Sequence, residues 1–104
     1  MSFELPKLKY NHSALAPHID ERTMQIHHGK HHAGYTNNLN AAIAGSDLEG
    51  KSIEQILSGV SAQSAAVRNN GGGFFNHNLY WEVIALGGSP NPEGVLLDAV
   101  NDSF

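Results

Sequence analysis

Apolar and ring-bearing residues recur every three or four positions along most of this chain, and nowhere do they alternate over a useful length. That period belongs to helices with one buried face, so an all-α fold is expected. From Met24 the series runs Met24, His27, His31, Tyr35, Leu39 and Ile43, with Asp20 placed to cap the helix and Gly45 to end it. Ser52 and Gln55 have the spacing of a capping box for a short helix, Ile53–Ser58, which Gly59 stops. A second long helix is expected to begin at Ser61 and close at Gly87-Gly88, with Asn69, Gly73, His77, Trp81 and Ile84 on one face. Asn91-Pro92-Glu93 reads as the start of a last helix that carries Leu96, Val100 and Phe104 on one stripe. Residues 1–19, broken by Pro6 and Pro17, read as an irregular lead-in. The architecture that follows is a long antiparallel helical hairpin with a short connecting helix over residues 1–90, and a further helix beginning in 91–104.

Composition removes several function classes. With six Lys and Arg and a net charge of -4, the chain lacks the basic surface that tracks phosphates, so no nucleic-acid partner is expected. The absence of cysteine excludes a thiol nucleophile and a zinc–thiolate cluster. MSFELPKLKY has no apolar signal core and no later run reaches membrane-spanning length, so a soluble, cytoplasmic protein without membrane contact is expected.

Seven histidines are the unusual feature, and four of them fall within IHHGKHHAGY, residues 26–35. On a helix His27 and His31 stack on one face with Tyr35 a turn further on, while His28 and His32 form a parallel pair around the axis. Both pairs have chelating spacing. The hydrolytic zinc pattern fails because no Glu follows the first His, and a carboxylate-bridged di-iron bundle fails because Glu-x-x-His pairs are absent. What remains is a mononuclear imidazole site or no site, with at least one pair simply solvated; His12 and His18 stay outside it.

The second long helix carries NNGGGFFNHNLYW, residues 69–81. Three glycines inside a helix cost on the order of 1 kcal/mol each relative to Ala, which suggests either a close backbone approach or a loop. His77 lies among Phe74, Phe75, Tyr80 and Trp81, where an unpaired imidazole is costly and a ligand role attractive; Phe74, Tyr80 and Trp81 read mainly as packing.

MQIHHGKHHAGYTNNLN and NNGGGFFNHNLYW, together with FELPKLKYNHSALAPHID and GGSPNPEG, resemble the N-terminal half of the iron/manganese superoxide dismutases. The resemblance implies that His27 and His77 are metal ligands. It also implies that His31 and Tyr35 line the substrate route as an outer proton relay, that Trp81 walls the pocket, and that His28 and His32 have no metal role. Iron-type members carry Gln four residues before the second ligand, where this chain has Gly73, so the resemblance favours manganese with iron as the alternative. It further implies superoxide as substrate and a C-terminal α/β domain, absent here, that would supply the other two of four protein ligands. Two readings result: half of a superoxide dismutase, inactive without its C-terminal half, or a non-catalytic helical domain that forms a homo-oligomer through Leu96, Val100, Phe104 and the exposed hairpin face.

Overall fold

A computed structural model describes residues 2–104, and among them every regular element is helical. Asp20 caps α1 (Glu21–Ile26), its carboxylate accepting the Thr23 amide at 2.6 Å. The chain then passes without a break through a π-helical segment (His27–His32) into α2 (Ala33–Ile43). The uniform α-helix expected from the spacing is therefore corrected: Ala33 N–H reaches back five residues to His28 O. A turn closed in that way holds extra backbone, so a residue four positions on returns close to the same azimuth. Two aligned histidine columns result, His27 over His31 with ring centroids 6.2 Å apart and His28 over His32 at 6.0 Å.

α3 (Ile53–Ser58) starts at the expected capping box, with both reciprocal bonds between Ser52 and Gln55 formed. The second long helix starts later and ends earlier than the sequence suggests. Ser61 lies in a 3-10 turn (Val60–Ala62), and Ser64 caps α4 (Ala65–Val83) by accepting the Val67 amide. α4 stops at Val83 because Ile84 turns to extended backbone and packs beside Leu15, Met24 and Trp81. The last helix, α5 (Gly94–Ser103), begins two residues beyond the expected Pro92, with Glu93 at its cap position and no side-chain cap bond.

Contacts between the long arms run in opposite directions along the chain: His32 meets Trp81, Tyr35 meets Gly73, and Leu39 meets Gly71. The arms are antiparallel, as expected. At the closed end of the hairpin Leu39, Ile43, Leu48, Ile53, Ile56, Val67 and Phe74 form an apolar core, with Phe3 of the lead-in packed on it. A smaller cluster of Leu15, Met24 and Trp81 closes the open end. The histidines lie between these clusters. α5 stands apart with no buried residue, and Leu96 and Phe104 of its stripe are exposed.

Candidate metal centre

The two long arms bring His27 and His77, fifty positions apart in sequence, to an Nε2···Nε2 distance of 3.0 Å. Their rings stand edge to face, with centroids 4.9 Å apart. His77 Nδ1 lies 2.7 Å from Gly73 O, one turn back on α4. A carbonyl only accepts, so Nδ1 carries the proton and Nε2 presents its lone pair to His27. Burial lowers the pKa of His27, and the neighbouring His77 and His31 lower it further, which favours the neutral ring that a metal ligand requires.

Donors of this kind fit a first-row ion. Imidazole nitrogens bind such ions at about 2.0–2.1 Å, and two of them 3.0 Å apart subtend roughly a right angle at a shared ion. No third side chain of the ligating types joins the pair: among the described residues there is no group of three or more His, Cys, Asp or Glu placed to hold a metal.

The pair opens into a cleft of about 440 Å³ lined by Thr23, Ile26, His27, His31, Tyr35 and His77. All four site residues expected from the sequence are thus in one place. Tyr35 packs on His77 with ring centroids 5.1 Å apart, while His31 is exposed at the mouth beside Lys30. Gly73 explains how Tyr35 fits, because a Cβ there would overlap the Tyr35 ring. The three glycines are helical rather than a loop, and Gly73 alone of them is required by a close approach. A Cβ on Gly71 would make ordinary contacts, and one on Gly72 would meet nothing within 4 Å. As expected, Phe74 and Trp81 are buried packing residues; Trp81 packs on His27 with ring centroids 4.9 Å apart but is not part of the cleft lining.

The other histidine column is the surprise. His28 is half-buried and donates from Nε2 to Pro6 O, tying the lead-in to the hairpin. His32 is fully buried, not solvated. It accepts the Trp81 indole N–H on Nδ1 at 2.9 Å and stacks on His77 at 5.2 Å and 29°. Burial, reinforced by His77 and His28, pushes its pKa down to about 4 against an opposing effect of Asn78. The sequence contained a signal for this. His32, Thr36, Leu39 and Ile43 are all buried and share one helical face, so His32 continues the apolar stripe inward. Running that stripe through Tyr35 instead hid it.

Residues 2–85 match the family described as iron/manganese superoxide dismutases, alpha-hairpin domain. The chain is also 49% identical over 108 residues to a protein named superoxide dismutase [Fe] from Raoultella planticola. That alignment takes in all of this chain and 64% of the relative's length. With antiparallel arms, two facing imidazoles and a family match over most of its length, the chain belongs to the iron/manganese superoxide dismutases, and residues 2–85 are that family's α-hairpin domain.

Proposed function

We propose that this hairpin is the N-terminal half of a cytoplasmic superoxide dismutase, in which two superoxide anions and two protons become dioxygen and hydrogen peroxide. The 3.0 Å approach of His27 Nε2 to His77 Nε2, at the floor of an open cleft, carries the reading. His27 and His77 supply two of four protein ligands, and the others come from a C-terminal half of the same protein. The redox-active ion that His27 and His77 would help to hold would supply the one-electron chemistry by which one superoxide is oxidised and the other reduced. Gly73 holds the His77 Nδ1 proton through its carbonyl, which keeps the Nε2 lone pair directed at the ion. The phenol of Tyr35 and the ring of His31 stand between the ligands and solvent, where they resupply the two protons that peroxide requires.

Manganese is the proposed metal and iron the alternative. Gly73 supports manganese because the Tyr35 ring fills the space that a Gln at this position would occupy. The iron-named relative speaks for the alternative.

The test is superoxide consumption by the manganese-loaded chain, alone and joined to a C-terminal half that supplies Asp and His ligands. The joined protein is expected to dismutate superoxide and the lone chain to be inactive, since two ligands hold the ion weakly and leave it open to solvent. Full-rate turnover by the lone chain contradicts the two-ligand assignment. No turnover by the joined, metal-loaded protein contradicts the function.

A second reading is favoured by the exposed apolar surface. Val95, Leu96, Leu97 and Phe104 on α5, with Leu79, Val83 and Leu86 near the end of α4, are all open to solvent. Such a surface is suited to burial against another body, and in this reading a second copy of the chain covers it in a non-catalytic homo-oligomer. Light scattering separates the readings: a dimer or larger species without bound metal supports self-association, and a metal-loaded monomer opposes it.

A further inference from the structure

His32 lies outside the lining of the cleft, yet it is among the most buried side chains of the chain. Its hydrogen bonding determines its tautomer. Nδ1 accepts the Trp81 indole N–H at 2.9 Å, and indole can only donate, so a neutral His32 carries its proton on Nε2. That Nε2 is buried without a formed hydrogen bond, and so is Asn78 Oδ1. A donor on the first arm and an acceptor on the second are thus each buried without a partner. A bond between them would remove two buried orphan groups at once.

Trp81 and the orphaned Asn78 have informative positions. Asn78 follows His77 directly and Trp81 stands one turn beyond it on α4. The face of His32 stacks on His77 itself. One side chain of the first arm therefore engages the second arm at the Trp81 indole and at the ring of the candidate ligand, and each contact constrains rotation of α4 about its own axis. Trp81, fixed by the same bond, meets the His27 ring at 4.9 Å.

We propose that His32 is a positioning residue: by receiving the Trp81 indole N–H and directing its own Nε2–H to Asn78, it clamps the stretch of α4 that begins at His77 and sets the approach of His77 Nε2 to His27. The inference rests on the metal reading of the His27–His77 pair, but the clamp itself can be read without metal.

The experiment compares the unaltered chain with His32→Leu, His32→Gln, Trp81→Phe and Asn78→Ala. Circular dichroism checks the helix content of each, and nitrogen NMR of the histidine side chains reports tautomers. In the unaltered chain without metal, His32 is expected as the Nε2–H tautomer and His77 as a single Nδ1–H tautomer. His32→Leu keeps bulk and loses both bonds, and Trp81→Phe loses the donor. Both are expected to turn His77 into a tautomer mixture and to weaken manganese binding about tenfold, the lower end of what loss of an outer support costs. Asn78→Ala is expected to act in the same direction but less. His32→Gln retains an acceptor and a donor and is expected to recover most of the loss. Should His32→Leu fail to fold, Trp81→Phe decides the matter by itself. A single His77 tautomer and unchanged manganese affinity in a folded Trp81→Phe or His32→Leu chain overturn the clamp. If the unaltered chain, joined to its C-terminal half, binds no manganese, the metal reading fails, while the tautomer comparison still decides whether the clamp exists.

Discussion

Two pairs of histidines, one position apart in the same ten residues, meet opposite surroundings. His27 and His31 face an open cleft with Tyr35 and His77, whereas His28 and His32 turn to the lead-in and to the interior between the arms. The π-helical segment gives both pairs nearly the same ring separation, so local geometry does not distinguish them. What differs is the partner. The first column meets a nitrogen lone pair held ready by Gly73 O, and the second meets a carbonyl and an indole N–H that use up one nitrogen on each ring. Chelating spacing shows which rings can act together; only the opposite arm decides whether their nitrogens remain free for a metal.

The comparison is broken most directly at the ligands. In the metal-loaded protein joined to its C-terminal half, His27→Ala or His77→Ala is expected to lower manganese affinity by roughly 100-fold or more, because either change removes a nitrogen that no neighbour replaces. His28→Ala is expected to leave it within a few-fold. Metal analysis after dialysis checks this, and equal losses from the two columns contradict it.

Stability should reverse the order of the columns. His32→Ala removes a fully buried ring and strands the Trp81 indole N–H, a loss of about 2 kcal/mol. His31→Ala, at the exposed mouth, is expected to fall within about 0.5 kcal/mol of the unaltered chain. Urea unfolding followed by circular dichroism measures both.

Within the cleft, Tyr35→Phe and His31→Ala are expected to keep the metal and to slow turnover by about 100-fold, the low end of what a positioned proton donor contributes. The pH dependence should change with the rate. Loss of metal in either variant would move that residue into the ligand set.

The smallest effect lies at the start of the first arm and serves as a control. Hydrogen bonds from Thr23 lower the Asp20 pKa from 3.8, with burial opposing. A carboxylate whose folded pKa is depressed stabilises the fold above its unfolded value. That contribution is lost as pH falls below 3.8 through the lower folded value. A slight decrease in melting temperature over that acid range, absent in Asp20→Asn, is expected.

Much of this was legible in the residues. The hairpin, its antiparallel sense, the Asp20 cap and the Ser52–Gln55 box depend on local spacing and short-range hydrogen bonds, which sequence displays directly. The family motifs pointed to His27, His31, Tyr35 and His77, and the fold brings these four to one cleft. Less local features were hidden. The π turn adds backbone without any marker residue, and the start of α4 depended on choosing Ser64 over Ser61, two serines three positions apart. The burial of His32 arises from Trp81 on the other arm, forty-nine residues away, and no periodicity within one helix reports that bond.

The central claim is that His27 and His77, and not the neighbouring pair, hold the metal. Adding manganese stepwise to the joined protein while recording nitrogen NMR of every histidine side chain tests it directly, because the paramagnetic ion broadens the nearest nuclei first. The Nε2 signals of His27 and His77 are expected to vanish together at the lowest manganese level, before those of His28 in the other column. Broadening that begins at His28, or that spreads evenly over all seven histidines, would contradict the assignment.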